Sequence, residues 1–352
     1  MQNHPGLAEA IRYHRDHESP WRRDFLTETG RYIGVADEPP APGDVLGTVR
    51  PRRGPNGVIL KAGEIVAEWG ETERADMSFS IAKSYLAVLA GVAIERGLIK
   101  DVDDPVRATV QDGGFDSEQN HAITWRHLLT QTSEWQGTLW DKPDTIDHNR
   151  DVGKSELGRA EKGQPRPLCP PGTLWEYNDV RVNRLSLALL RVFRERLATV
   201  LERAVMGPIG ASNTWEWQPY RNSWVEVDGV RMPSVPGGSH WGGGLWMSSR
   251  DHARFGQLIH QGGRWEGRQL VPRWWIDEMR TPCALNPQYG LLWWLNTGRA
   301  QAASAPESCY AARGAGSNVI WIDPEHDLVV VVRWIDKTSL DGFIKRVTIP
   351  GQ

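Results

Sequence analysis

The chain contains one Ser-x-x-Lys, Ser80-Ile81-Ala82-Lys83. On a helix, two side chains three residues apart share a face, so the Lys83 amine can reach the Ser80 hydroxyl. That pair suits nucleophilic catalysis: serine attacks a carbonyl carbon and lysine handles its proton. A helix N-terminus adds partial positive charge beside a forming alkoxide. Apolar surroundings disfavour the ammonium, which makes a basic, neutral lysine attainable. The plainer alternative is that Ser80 only caps the helix while Lys83 snorkels to solvent.

Two further elements carry chemistry. Tyr177 stands in Trp175-Glu176-Tyr177-Asn178-Asp179, a loop ahead of a helix, where a phenol can serve as a second proton-transfer group. A core tyrosine with a bonded hydroxyl is the commoner fate of such a residue. Ala311-Ala312-Arg313-Gly314-Ala315-Gly316-Ser317-Asn318 precedes a strand. Its small residues let a substrate backbone approach, and a free N–H there can face an oxyanion. A tight turn or strand bulge would read the same way.

The elements that must position these groups follow from the hydrophobic pattern. Residues 57–70 hold two short apolar runs around Lys61-Ala62-Gly63-Glu64, a β-hairpin. Ile81 to Ile94 is apolar all round except for Lys83, Ser84 and Gly91, and Gly97 closes it, so it reads as a buried core helix. Asn183–Arg194 and Asp251–His260 read as helices, and Tyr289–Asn296, Ser317–Asp323 and Leu328–Ile335 as strands. The run Leu328 to Val332 suits a central strand covered on both faces. Residues 1–28, with Leu7, Ile11, Trp21 and Phe25, suit a surface helix followed by a break at Pro20, and 35–55 an extended Pro/Gly connector. Strands near both ends and helices between them predict an α/β (α+β) fold. Its discontinuous sheet domain comprises 1–98 and 236–352, interrupted by a mostly helical domain, 99–235.

Composition narrows the function. Lys plus Arg is 41 against 44 Asp plus Glu, a net charge of −3. No cationic excess exists to displace counterions from a nucleic acid. No apolar run reaches the roughly 20 residues that span a bilayer, and the N-terminus lacks a signal-peptide core. Cys169, Cys283 and Cys309 are odd in number and lack C-x-x-C spacing, against a disulfide framework or structural zinc. A reduced, cytoplasmic protein is expected. The ten histidines include no H-E-x-x-H, so neither a metal nor a cofactor is expected. His121, His127 and His148 read as surface or loop residues, and His240, in Ser239-His240-Trp241-Gly242-Gly243-Gly244, as a turn histidine bordering the cleft. Oligomeric state is not legible.

Taken in order, the three motifs resemble the serine β-lactamase and penicillin-binding-protein superfamily, with closest similarity to class C β-lactamases, esterase relatives and the 6-aminohexanoate-dimer hydrolase type. Ser78-Phe79-Ser80-Ile81-Ala82-Lys83-Ser84 resembles the nucleophile segment. His127-Leu128-Leu129-Thr130-Gln131-Thr132-Ser133 is similar to a stretch of that family, with Glu134 where Gly is usual. Gly97-Leu98-Ile99, Asp103 to Val106, Pro171-Gly172-Thr173 and Gly243 to Asp251 fit as well. The resemblance spans roughly 55–335. It implies an antiparallel sheet flanked by helices, a helical domain and a cleft between them. It also implies Ser80 as nucleophile, Lys83 as proton acceptor, Tyr177 as second acid/base, and the N–H groups of Ser80 and Ala315 as oxyanion hole.

Two departures set further expectations. The family's Tyr-x-Asn is Tyr177-Asn178-Asp179 here, and Asp179 is expected to pair with Lys83 and raise its pKa. The third motif, usually Lys-Thr-Gly or His-x-Gly, is Ala312-Arg313-Gly314, so the usual carboxylate-binding base is missing. Arg313, as a strand neighbour, should point to the opposite face. Efficient penicillinase activity is therefore not expected. The small-molecule substrate is an ester or simple amide, with Trp135, Trp140, Trp241 and Trp293 as candidate cleft residues. The second reading is a catalytically silent relative that binds a peptide or small ligand in the same cleft.

Overall fold

The computed structural model describes residues 5–26, 45–152 and 161–348. Residues 35–44 of the expected connector lie outside them. The helices that frame the site are α1 (Pro5–Asp16), α2 (Ile81–Glu95), α3 (Asp179–Phe193), α4 (Ser249–His260) and α5 (Leu340–Val347). The strands are β1 (Asn56–Lys61), β2 (Glu64–Trp69), β3 (Asp76–Met77), β4 (Glu216–Gln218), β5 (Gly244–Met247), β6 (Trp294–Leu295), β7 (Tyr310–Gly314), β8 (Asn318–Asp323) and β9 (Leu328–Arg333).

Six strands form one antiparallel sheet in the order β6-β7-β8-β9-β1-β2. The hairpin over 57–70 forms as expected. The valine run becomes an interior strand with Val331 opposite Val58 and Val330 opposite Ile59. Alternation along β9 divides the core. Val329 and Val331 face the layer containing α2 and α4, whereas Val330 and Val332 join Ala10 of α1 and Phe343 and Ile344 of α5. Helices thus cover both faces, which explains why β9 is apolar without interruption. β5 pairs with β3 and β4 in a smaller sheet, and β3 leads directly into the start of α2.

The span 99–235 carries helices at Trp125–Leu129, Asp179–Phe193 and Leu197–Leu201, together with a hairpin of Trp224–Val227 and Val230–Pro233. Three expectations need correction. The N-terminal helix stops at Asp16, and Trp21 and Phe25 lie beyond it, packed in an aromatic cluster with Phe79 and Trp334. The strand over 289–296 shrinks to Trp294–Leu295, with a single bridge from Tyr289 to Trp294. His148 is buried against Asp144 rather than exposed. Among the described residues, no helix is long and apolar enough to cross a membrane.

Candidate active site

The turn carrying Ser80 is strained and clamped. Phe79 has φ 51°, a left-handed conformation that costs an L-residue roughly 1–2 kcal/mol. Edge-on contacts with Trp21, Phe25 and Trp334, at centroid distances of 5.8, 5.9 and 5.9 Å, hold its ring. Upstream, Ser78 N donates to Leu245 O at 2.8 Å and Arg333 Nη2 to Met77 O at 2.6 Å. Behind the turn, each ring nitrogen of His252 lies 2.8 Å from a hydroxyl, one of Ser78 and one of Tyr85. Burial holds His252 well below the ordinary imidazole range, so this brace stays neutral.

Ser80 occupies the N-cap position of α2, yet its side chain makes no capping hydrogen bond. Its Oγ accepts from Lys83 Nζ at 2.9 Å. Lys83 is 1% exposed, so it does not snorkel. Its Nζ also donates to Asp179 Oδ1 at 2.5 Å and to Gly237 O at 3.3 Å. The next residue must be small: a Cβ on Gly238 would sit 3.3 Å from Nζ and 3.5 Å from Ser80 Oγ. The carboxylate and carbonyl accept only. A neutral amine would give them its two hydrogens and turn its lone pair to Ser80; an ammonium donates to all three.

Electrostatics decide the resting form. Burial opposes the charge on Lys83, but the Asp179 carboxylate overcomes it and raises the lysine above its ordinary value. Burial likewise opposes the Asp179 charge, yet Lys83, Arg150 and His240 hold that carboxyl well below its usual range. Arg150 Nη1 lies 2.6 Å and His240 Nδ1 3.0 Å from Asp179 Oδ2. Ligand atoms of Asp147, Asp179 and His240 lie within 4.8 Å of one another. Lys83, Arg150 and Lys162 already approach those carboxylates, and this cationic surround does not fit a divalent ion.

Tyr177 enters the same cleft from the loop before α3. That loop is tied down by Asn178, whose side chain accepts from Arg181 N and donates to Asp144 O and whose backbone N–H donates to Gln131 Oε1. The Tyr177 ring stacks on Trp294 (5.8 Å, 25°), and Lys83 Nζ and Arg150 Cζ lie 4.8 and 5.4 Å from its centroid. The opposite wall is the end of β7. A Cβ on Gly314 would lie 2.3 Å from Ser78 O and 3.3 Å from Ser80 N, so this strand end abuts the Ser80 turn. Ser80, Tyr177, Arg313, Gly314 and Ala315 all line one cleft of about 590 Å³.

Residues 58–340 match the family described as Beta-lactamase. The chain belongs to the β-lactamase family. Solved structures agree on the fold. A candidate β-lactamase of Bacteroides dorei superposes with a TM-score of 0.61 at 17% identity, covering 83% of this chain and 93% of its own. A candidate 6-aminohexanoate-dimer hydrolase of Bacillus anthracis gives 0.59 at 17%, covering 83% and 76%. A D-stereospecific amidohydrolase of a Streptomyces species gives 0.56 at 17%, covering 88% and 95%. No curated protein matches the chain.

Within this β-lactamase fold, the departures acquire physical reasons. Asp179 pairs with Lys83 as expected. Glu134, where the family resemblance has Gly, adopts φ 47°. It keeps that conformation because its buried carboxylate binds Arg166 through two 2.7 Å bonds, Arg181 at 2.5 Å and Cys169 N at 3.0 Å. Ala312 is buried in the core layer facing α2. Arg313 corrects the expectation: it lines the cleft and donates to Gln301 Oε1. β6 pairs only with Tyr310 and Ala311. The sheet edge beside Arg313 is therefore open, and a long side chain can turn round it.

The tryptophan expectations fail. Trp135 (4% exposed), Trp241 (0%) and Trp293 (0%) pack in the core, as does Trp140. Trp241 stacks on His240. Trp294 and Trp21 line the cleft instead. His240, expected as a turn histidine, is a buried partner of Asp179. Arg150, Gln301 and Trp21 carried no motif that would have marked them.

Proposed function

We propose that this chain is a serine hydrolase that cleaves an ester or amide bond through an acyl-enzyme on Ser80. The observation that carries the reading is a serine hydroxyl, unused by its helix, hydrogen-bonded to a buried lysine and open to a cleft shared with Tyr177. Ser80 Oγ bonds to the carbonyl carbon as its proton leaves, and the carbonyl oxygen becomes an oxyanion. The N–H groups of Ser80 and Ala315 receive that oxyanion beside the N-terminus of α2. Collapse breaks the bond to the leaving group, which takes up the proton. Water then attacks the acyl carbon and frees Ser80.

Asp179 favours an ammonium at Lys83 in the resting site. In the reactive form Lys83 is the neutral amine, whose lone pair takes the Ser80 proton as the new bond forms, and Tyr177, facing the same cleft, relays a proton from the Lys83 ammonium to the leaving group. With Ala312 in place of a basic residue, an ester or simple amide suits the site better than a penicillin. The test is a rapid-mixing assay with p-nitrophenyl butyrate. Wild type should release a burst and then turn over, and Ser80→Ala should lose at least about 10³-fold in rate. Equal release from both proteins would remove Ser80 as nucleophile. Tight ligand binding without turnover in the wild type would favour the binding-only reading.

A further inference from the structure

One loop grips both ends of the Lys83–Asp179 pair. Gly237 O accepts from Lys83 Nζ at 3.3 Å. In the same loop, His240 Nδ1 lies 3.0 Å from Asp179 Oδ2, the oxygen that Arg150 also reaches, while Asp179 Oδ1 faces Lys83. Bonds from Gly237 N to Asn183 Oδ1 at 3.0 Å, from Ser239 Oγ to Gly243 O at 2.9 Å and from Leu46 N to Trp241 O at 2.9 Å pin this loop. The His240 ring stacks on Trp241 at a centroid distance of 4.4 Å and is buried. Packing does not explain a histidine here. Among the described residues its Nε2 has no hydrogen-bond partner, and burying an unpaired ring nitrogen carries a cost that a phenyl ring avoids. A carboxylate only accepts, so Nδ1 carries the hydrogen given to Asp179. His240 is not among the residues lining the Ser80 cleft. Its chemistry is therefore directed at Asp179.

We propose that His240 is a positioning residue that, by fixing the Asp179 carboxylate, aims the lone pair of neutral Lys83 at Ser80. The neutral amine has two hydrogens and two held acceptors, Asp179 Oδ1 and Gly237 O. With both hydrogens engaged, the remaining direction, toward Ser80 Oγ at 2.9 Å, belongs to the lone pair. A carboxylate released from His240 can turn about its own bonds, and an N–H then faces the serine in place of the lone pair. Arg150 divides its contacts among Asp179, Asp147 and the Tyr177 ring, whereas the His240 hydrogen goes to Asp179. The Asp179 N–H donates to Asp147 Oδ2 at 2.8 Å, which fixes the backbone of Asp179 but not the plane of its carboxylate. His240 supplies that second constraint.

This inference rests on the hydrolase reading for its turnover arm and has a second arm that needs no turnover. Two variants separate the donor from the ring. His240→Asn keeps an N–H donor one bond from Cγ and loses the ring; His240→Phe keeps a ring against Trp241 and loses the donor. Each is compared with wild type in hydrolysis of p-nitrophenyl butyrate. Each is also treated with diethyl p-nitrophenyl phosphate, where Ser80 Oγ bonds to phosphorus, p-nitrophenolate leaves and intact mass reads the adduct. His240→Phe should lose about tenfold or more in kcat/KM and in adduct rate, and His240→Asn should keep at least about a third of both. The inhibition constant of butyrate should stay within about twofold in both variants, because His240 lies outside the cleft lining. Thermal unfolding checks that each is folded, and His240→Leu replaces a His240→Phe protein that is not. Adduct formation with this ranking but no ester turnover in the wild type would overturn the hydrolase reading alone. A donorless variant that matches wild type, a His240→Asn protein no faster than the donorless one, or a wild type that forms no adduct at Ser80 would each overturn the inference.

Discussion

Replacing Gly314 by alanine tests whether the end of β7 forms part of the oxyanion site. The φ of Gly314 lies outside the left-handed range, so alanine meets no backbone penalty and only space is changed. The new methyl carbon would lie 2.3 Å from Ser78 O, about 1.1 Å inside the 3.4 Å at which ordinary contact begins. Ser78 cannot yield, because its N–H is bonded to Leu245 O and its hydroxyl to His252. The strand end must move, taking the Ala315 N–H with it. A misplacement of about 1 Å costs on the order of 10²-fold, and loss of an oxyanion donor about 10²–10³-fold, or roughly 2.7–4 kcal/mol. Steady-state kinetics with p-nitrophenyl butyrate should therefore show kcat/KM reduced about 10²–10³-fold, mostly in kcat. Thermal unfolding of the same sample should show a folded protein, with overpacking costing about 1–3 kcal/mol. A folded Gly314→Ala protein within fivefold of wild-type kcat/KM would refute the placement of the oxyanion hole.

Two other perturbations probe the buried charges. Asp179→Asn removes the anion that raises the Lys83 pKa and leaves burial as the main influence, so any limb of the kcat/KM–pH profile that reports Lys83 should move to lower pH. The same change leaves Lys83 and Arg150 without their shared anion, and chemical denaturation should show a loss of about 3–5 kcal/mol; an unmoved profile would remove Lys83 from the proton-transfer step. Glu134 is held at about 2, below its ordinary 4.5, because Arg166, Arg181 and Cys169 N–H outweigh the burial penalty. A depressed carboxyl contributes stability above about pH 4.5 that is lost as pH falls toward 2, so Glu134→Gln should cost about 3 kcal/mol at pH 7. The gap between wild type and variant should close in acid; a gap constant from pH 7 to 3 would mean that Glu134 acts through shape alone.

What was legible in the sequence is what local pattern controls. The hairpin over 57–70, the apolar helix after Ser80 and the valine strand are set by periodicities of 2 and 3.6 over consecutive residues. Asp179 could be paired with Lys83 because both stand in recognisable motifs. The failures have a common cause. Trp293 and Trp294 are adjacent at the start of a short strand, one packed in the core and the other lining the cleft, and local pattern alone does not say which meets the cleft. Arg313 escapes the same rule because β6 ends early, a fact of pairing between distant segments. Trp21, Gln301 and Arg150 reach the site through tertiary contacts that leave no mark on their surrounding residues. His240 looked like a turn residue because its partner, Asp179, lies 61 positions away.

The seam between β1 and β9 has a consequence for how the protein is born. Residues 56–61 pair with 328–333, and Phe79 is wedged by Trp334 from the end of the chain and by Trp21 and Phe25 from its beginning. A growing chain that has reached residue 300 already contains Ser80, Lys83 and Tyr177, but not the strand that closes the sheet or the Trp334 ring that packs on Phe79. The emerging polypeptide therefore carries an unbraced Ser80 turn beside an open hydrophobic sheet edge. Closing so distant a seam is slow compared with local helix formation. The Ser80 turn can be completed only after synthesis has passed Trp334, and a chain that stops short of it keeps an open apolar sheet edge, the kind of surface that chaperones bind.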